Sequence, residues 1–201
     1  MPGRDCSTID SVNDMSFQTR RGKRALRVFP AILSAISLTC ACGAAASADG
    51  QAFLRTGIAA PAFQVTLLDG KTVRLRDLRG KVVALDFWAT WCGPCRPTMK
   101  TLQALQEKYG GRLAVVGVSL DDETTADQIR PTLQRLGVTY RIAASYDQTQ
   151  AVKSAYRVPG AGLLYVIDRH GIIRWSHAGT GDDDALVKQR IEAALDKPAG
   201  R

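Results

Sequence analysis

The apolar positions along the chain predict a hairpin followed by buried strands. Phe63 to Leu67 and Thr72 to Leu75 flank the turn Asp69-Gly70, which is typical of a β-hairpin. Two later runs, Val82 to Trp88 and Leu113 to Leu120, are apolar almost throughout. Such runs are expected for strands of a sheet that is covered on both faces.

Helices are predicted where apolar residues return every three or four positions. The first predicted helix has this spacing from Met99 to Tyr109, and Gly110-Gly111 ends it. The predicted helices are Cys95 to Tyr109, Thr125 to Leu136, Gln148 to Tyr156 and Asp183 to Leu195. Short strands are predicted at Arg141 to Ala144, Leu163 to Asp168 and Ile172 to Trp175. Strands and helices alternate early and a hairpin with a helix comes last, which predicts an α/β sandwich with a mixed sheet.

The composition fits one domain of ordinary size with a leader. Of the 201 residues 45% are hydrophobic, so a full core can form, and the formal net charge is +8. Residues 1–48 contribute +3 of this charge and the remainder contributes +5. The charges of the body are scattered, with no basic run and no interleaved aromatic residues. This distribution indicates a solvated surface and argues against nucleic-acid binding.

Residues 1–48 have the features of an export signal. A basic segment from Arg20 to Arg27 precedes an uncharged stretch from Val28 to Ala48, which ends in Ala46-Ser47-Ala48. This order predicts a secretory signal cleaved after about Ala48. Residues 49–60 would then form a linker and residues 61–197 the folded domain.

Three other interpretations of the leader stay open. The uncharged stretch is about long enough for an uncleaved membrane anchor, although Pro30 and many small residues weaken that interpretation. Thr19-Arg20-Arg21 suggests twin-arginine export, but Lys23 stands where a bulky apolar residue is expected. Lipidation of Cys40 or Cys42 would want a leucine three residues earlier. All of these place the body outside the cytoplasm, in the periplasm, where disulfides persist.

The cysteines of the body form one close pair. Cys6, Cys40 and Cys42 lie in the leader, whereas Cys92 and Cys95 lie between a predicted strand and a predicted helix. A Cys-x-x-Cys at such a junction indicates a redox dithiol, because the helix N-terminus favours the thiolate that attacks in disulfide exchange. A structural disulfide or half of a zinc site is the alternative, but zinc normally takes four ligands and no second cysteine pair exists.

The order of motifs resembles a known family over about Phe53 to Leu195. The motifs are Leu68-Asp69-Gly70-Lys71, Leu78-Arg79-Gly80-Lys81, the run from Asp86 to Pro97 that contains Trp91-Cys92-Gly93-Pro94-Cys95, Val116 to Asp121, and Tyr165-Val166-Ile167-Asp168. In these the chain resembles the TlpA/ResA-like thiol–disulfide oxidoreductases. The resemblance implies a thioredoxin-like three-layer α/β sandwich, with a mixed central sheet, helices on both faces and an N-terminal β-hairpin.

The resemblance also implies roles for three residues. Cys92 would be the nucleophile and Cys95 the resolving thiol, with a redox disulfide between Cys92 and Cys95. Asp86 stands where the thioredoxin pattern has a buried acid. Burial would raise its pKa, so that it could take the proton of Cys95. A hydrogen-bonded structural carboxylate is the alternative for Asp86.

The expected substrate surface consists of Trp91, Gly93 and Pro94 together with the loop at Ala161 and Gly162. Gly162 stands where the family has a cis-proline, and Pro159 would take that place only in a shifted alignment. A cis peptide before a residue other than proline costs roughly 3–4 kcal/mol. The Ala161–Gly162 peptide is therefore predicted to be trans.

The expected function is an exported enzyme that reduces disulfides of periplasmic proteins, apo-cytochrome c being the family's example. A membrane electron-donor protein would recharge it, with no organic cofactor and no resident metal. Gly-Pro between the cysteines resembles thioredoxin, near about −270 mV, and so favours a reductant. A copper-delivery module using Cys92, Cys95 and His177 is the alternative. A thiol peroxidase fits poorly, since it would want Thr-x-x-Cys and Thr90 is only two residues before Cys92.

Overall fold

The computed structural model describes residues 53–179 and 184–197. The leader with its three cysteines, the start of the expected linker and Asp183, the first residue of the last predicted helix, lie outside the described residues. In the part that is described, no helix is both long and apolar enough to cross a membrane.

A mixed sheet of five strands forms the centre of the domain. Its strands are β3 (Val82–Trp88), β4 (Leu113–Ser119), β5 (Arg141–Ala143), β6 (Leu163–Ile167) and β7 (Ile173–Ala178), after the separate hairpin β1 (Gln64–Thr66) and β2 (Thr72–Arg74). The order across the sheet is β5-β4-β3-β6-β7. The three strands β3, β4 and β5 run parallel, while β6 and β7 run antiparallel to their neighbours. The predicted mixed sheet and hairpin are confirmed.

Two apolar layers cover the sheet. Helices α1 (Cys95–Tyr109), α2 (Ile129–Leu136) and α4 (Asp184–Asp196) pack on one face. Helix α3 (Tyr146–Ala155) and the hairpin cover the other face. The predicted three-layer thioredoxin-like sandwich is therefore confirmed.

Strand β3 explains how the chain fills both layers. All seven of its residues are buried, because neighbouring strands flank it and helices cover its two faces. Since successive side chains point to opposite faces, Leu85 and Phe87 lie in the layer of α3, and Ala84 and Trp88 lie beneath α1. Asp86 has the parity of Ala84 and Trp88, so it is a carboxylic acid on the apolar face beneath α1.

Helix α2 begins later than the predicted Thr125. Residues Ala126–Gln128 form a 3₁₀ turn, and the α-helix proper begins at Ile129. Pro131 is the physical reason, because proline has no N–H and its ring clashes with the preceding turn when it lies inside a helix. A start at Ile129 places Pro131 in the first turn, where the missing donor costs little.

The segment 53–60, for which the sequence predicts a linker, is bound along the start of β7. Gly57 N donates to Ile173 O at 2.7 Å, Ile173 N donates to Ile58 O at 2.9 Å, and Ala60 N donates to Gly171 O at 2.8 Å. Phe53 and Leu54 pack against the apolar layer of α3. These contacts tie residues 53–60 to the sheet, and the boundary at residue 61 stays a prediction.

Candidate active site

Cys92 and Cys95 form a disulfide at the N-terminus of α1. Their Cα atoms lie 5.4 Å apart, and Cys95 is the first residue of the helix. Pro94 has φ −62° and ψ −20°, which is already close to helical geometry. Its fixed φ therefore helps close the turn in which Cys95 N donates to Cys92 O at 3.3 Å. The short Cys-x-x-Cys spacing thus brings the two sulfurs together.

The disulfide lies just below the surface, beside an exposed aromatic ring. Cys92 is 8% exposed and Cys95 4%, whereas Trp91 is 62% exposed. Trp88 is fully buried. The indole of Trp91 therefore leaves an apolar surface exposed to solvent beside Cys92.

The loop before Cys92 is held by Asp121, which sequence reasoning missed as a site residue. Asp121 is buried and accepts hydrogen bonds from Thr90 N at 3.0 Å, Thr90 Oγ1 at 2.5 Å and Ser119 Oγ at 2.7 Å. The available signal was its place just after β4. The carboxyl ends of the parallel strands β3 and β4 meet at one edge of the sheet, so Asp121 lies beside the residues that follow β3.

Asp86 lies buried behind Cys95. Its side chain is 2% exposed, and no hydrogen-bond partner for Oδ2 occurs among the described residues. Burial without a partner raises its pKa to about 7. Asp86 and Cys95 line the same cavity of about 10 Å³, which is the size that holds about one water molecule. The structure thus brings the predicted acid and the predicted resolving cysteine to one small space.

The loop at Gly162 lies on the other side of this cavity. Gly162 has φ +97°, its N–H donates to Phe87 O at 2.6 Å, and its carbonyl accepts from Gly179 N at 2.8 Å. A Cβ atom built on Gly162 would lie 4.0 Å from Cys95 Sγ. The Ala161–Gly162 peptide is trans, as predicted. Gly162, and not Pro159, lines the cavity.

His177 lies near Cys95 but does not complete a metal site. Its ring stacks on Trp175 with centroids 4.9 Å apart, and it lines the cavity that Cys95 lines. Across residues 53–179 and 184–197, no group of three or more His, Cys, Asp and Glu residues is placed to hold a metal ion. His170 is exposed in the turn after β6.

A disulfide of Cys-x-x-Cys spacing at the head of α1, directly after the central strand of a thioredoxin-like sheet, defines a thiol–disulfide oxidoreductase. Residues 56–176 match the model of the AhpC/TSA family. The chain belongs to this family, and it is a thiol–disulfide oxidoreductase of the ResA/DsbE type with a Cys92–Cys95 pair.

Individual relatives agree with this assignment. The chain is 33% identical to the thioredoxin-like protein YneN of Bacillus subtilis over 144 residues, which is 71% of this chain and 80% of that protein. It is 35% identical to the thiol-disulfide oxidoreductase ResA of Oceanobacillus iheyensis over 153 residues, covering 73% of this chain and 74% of that one. A solved structure assigned as thiol:disulfide interchange protein DsbE of Chlorobium tepidum has 34% identity and a TM-score of 0.62, covering 71% and 99% of the two chains.

Proposed function

We propose that this oxidoreductase works outside the cytoplasm and reduces disulfides of exported proteins, with apo-cytochrome c as the substrate suggested by the family resemblance. The observation that carries the proposal is the pairing of a near-surface Cys92 beside an exposed Trp91 with a Cys95 that shares a buried cavity with Asp86. In this arrangement the Cys92 sulfur contacts the substrate, whereas the Cys95 sulfur has Asp86 beside it as a base.

In the first step the reduced protein attacks. The Cys92 thiolate attacks one sulfur of the substrate disulfide, forming a Cys92–substrate disulfide and releasing the other substrate sulfur as a thiolate. The N-terminus of α1 favours the thiolate form of Cys92, because unpaired backbone N–H groups and the helix dipole stabilise negative charge there.

In the second step Cys95 releases the product. Its thiol gives a proton to the Asp86 carboxylate, and the resulting thiolate attacks Cys92 Sγ. The Cys92–substrate bond breaks, the second substrate sulfur leaves as a thiolate, and the Cys92–Cys95 disulfide forms. Two electrons have then passed from the protein to the substrate. A base with a pKa of about 7 suits this transfer, because it is substantially ionised near neutral pH and still accepts a proton.

The substrate surface in this proposal consists of Trp91, Gly93, Pro94, Ala161 and Gly162. The N–H and C=O of Gly162 both bond within the protein, so the contribution of Gly162 is to leave the surface beside the sulfurs free of a side chain. Trp91 supplies the apolar contact.

The protein must be recharged after each turnover. A dithiol on a membrane electron-donor protein would reduce the Cys92–Cys95 disulfide by the same exchange, run in reverse. The two sulfurs carry both electrons, so the cycle needs no organic cofactor.

Trapping of the mixed disulfide tests this order of events. The probe is a peptide with an oxidised Cys-x-x-Cys-His haem-attachment motif, mixed with reduced protein. We expect Cys95→Ser to accumulate the Cys92–peptide adduct, detected by mass spectrometry under non-reducing conditions. The matched variant Cys92→Ser should form little adduct. Equal adduct formation by both variants would contradict the assigned roles.

The direction of transfer is tested by the reduction potential of the pair in metal-free dithiothreitol buffers. We expect a value at the thioredoxin end, about −270 mV, and a value near about −120 mV would turn the assignment towards disulfide formation. Stoichiometric copper binding without thiol exchange would replace the proposal by the copper-delivery alternative.

Export is tested on the full chain. We expect the mature protein recovered from a periplasmic fraction to begin at Asp49. An intact leader in the membrane fraction would indicate an anchor, and recovery in the cytoplasm alone would overturn export.

A further inference from the structure

Three polar atoms without partners lie on the sheet face beneath α1. They are Asp86 Oδ2, Trp88 Nε1 and the hydroxyl of Tyr140, all buried and without a hydrogen-bond partner among the described residues. Buried polar groups are rarely left unpaired, since each costs about 1–3 kcal/mol. Two of these atoms are donors and the carboxyl oxygen is an acceptor, so their hydrogen-bonding needs are complementary.

Gly117 leaves space on this sheet face beside Asp86. It pairs with Asp86 across the parallel strands β3 and β4, and side chains of paired residues project to the same face about 5 Å apart. A Cβ atom on Gly117 would lie 2.6 Å from Ile142 Cδ1, 3.1 Å from Trp88 Nε1 and 3.2 Å from Tyr140 Cε2. The Ile142 side chain, the indole N–H and the tyrosine ring therefore share the place beside Asp86 that a side chain at position 117 would fill.

Helix α1 holds Tyr140 at this place. Gln103 Oε1 accepts hydrogen bonds from Thr139 N at 2.8 Å and from Tyr140 N at 3.3 Å, while Gln103 Nε2 donates to Thr139 Oγ1 at 2.9 Å. Gln103 and Cys95 belong to the same helix. The element that carries the resolving cysteine thus also fixes the backbone of Tyr140.

We propose that Tyr140 is a positioning residue for Asp86, and that its hydroxyl, together with the Trp88 N–H, stabilises the carboxylate that receives the proton of Cys95. The inference rests on the role given to Asp86 under the proposed function. An ionised carboxylate in this apolar layer is costly unless donors face it. Neither donor has a hydrogen-bond partner among the described residues, and Asp86 Oδ2 has none either, so all three are free to pair when the carboxyl ionises.

The charges around Tyr140 agree with this proximity. Burial raises the pKa of the Tyr140 hydroxyl well above its usual value, and the negative charge of Asp86 adds to the rise. The hydroxyl therefore stays protonated and acts as a donor. Among the described residues that line the cavity with Asp86, the other ionisable side chains are His177 on β7 and, once the disulfide is reduced, Cys95 on α1, whereas β6 and α4 present Leu164 and Val187.

The test is the pKa of Asp86 in the oxidised protein, followed by ¹³C NMR of the side-chain carboxyl. We expect Tyr140→Phe to raise this pKa by about one unit or more above the value of the unchanged protein, because the ionised carboxylate loses the donor that the proposal assigns to it. Tyr156→Phe is the matched control. It removes another buried tyrosine hydroxyl, which donates to Pro61 O on the opposite sheet face, and it should leave the pKa unchanged. An unchanged pKa in Tyr140→Phe would overturn the proposal.

A kinetic measurement separates this proposal from the role of Asp86 itself. The rate of product release from a preformed Cys92–peptide disulfide is followed against pH. In Tyr140→Phe the rise of this rate should move to higher pH by the same shift, with the same rate at high pH. In Asp86→Asn, adding Tyr140→Phe should change nothing. If Asp86→Asn releases product at the normal rate, Asp86 is not the base for Cys95. The NMR titration would still decide whether Tyr140 stabilises the Asp86 carboxylate.

Discussion

At the scale of single residues, Asp86 is the position where the proposed function most clearly lowers the stability of the fold. A carboxyl placed on an apolar sheet face costs free energy whenever it is ionised. Its pKa of about 7 lies well above the value near 3.9 of an unfolded aspartate. The folded protein therefore binds more protons than the unfolded chain between these values, and its stability falls as the pH rises through this range.

We expect Asp86→Asn to stabilise the oxidised protein in a pH-dependent way. Below about pH 4 both folded and unfolded carboxyls are protonated, so the substitution should change little. Above about pH 7 it should raise the free energy of unfolding by up to about 4 kcal/mol, which corresponds to a shift of about three pH units. Urea unfolding at pH 4, 6 and 8 measures this. A gain that is the same at all three values would contradict burial as its cause.

Asp121 is the matched control for that measurement. It is as buried as Asp86, but its carboxylate accepts hydrogen bonds from Thr90 and Ser119. Asp121→Asn should therefore destabilise the protein at pH 8, by about 1–3 kcal/mol. The opposite signs expected for the two substitutions follow from hydrogen bonding and not from burial alone.

At the scale of elements, the backbone conformation of the loop before β6 favours glycine at position 162. Gly162 donates to Phe87 O from a backbone with φ +97°. Proline has neither an N–H nor access to that φ. Position 162, where the family resemblance leads one to expect a cis-proline, is a glycine that follows a trans peptide.

We expect substitutions at Gly162 to destabilise this loop. Gly162→Ala should cost about 1–2 kcal/mol, because residues with a Cβ are strained in the left-handed region. Gly162→Pro should cost about 3 kcal/mol or more, since it also loses the bond to Phe87. Gly160→Ala is the control, as a Cβ there meets no atom within 4 Å. Denaturant unfolding measures all three, and a Gly162→Pro protein as stable as the original would refute the argument.

At the scale of the whole molecule, the sheet order assembles the site from distant segments. Strands β3, β4, β6 and β7 lie side by side, which brings Asp86, Gly117 and His177 to one face. Helix α1 then closes that face with Cys95. Residues 57–60, which precede β1, form backbone hydrogen bonds with the start of β7.

We expect a chain that starts at residue 61 to be less stable than one that starts at residue 49. The truncation removes the backbone bonds of Gly57, Ile58 and Ala60 and the packing of Phe53 and Leu54. Its cost should be about 5 kcal/mol, at about 1 kcal/mol for each of the three bonds and two apolar side chains lost. Ile58→Ala is the control, because this side chain is 42% exposed and its loss should cost under about 0.5 kcal/mol. Equal stability of the two chains would show residues 53–60 to be a true linker.

The sequence alone determined the fold class, the cysteine pair and the buried position of Asp86. These features depend on local pattern: apolar runs define the buried strands, and Cys-x-x-Cys spacing closes within one turn. Only the tertiary structure decided that Asp121 holds Thr90, that Tyr140 packs beside Gly117, the partner of Asp86 across β3 and β4, and that residues 53–60 bind β7. Each of these contacts joins segments distant in sequence, and their geometry depends on strand order and on the space left by Gly117, which no local periodicity encodes.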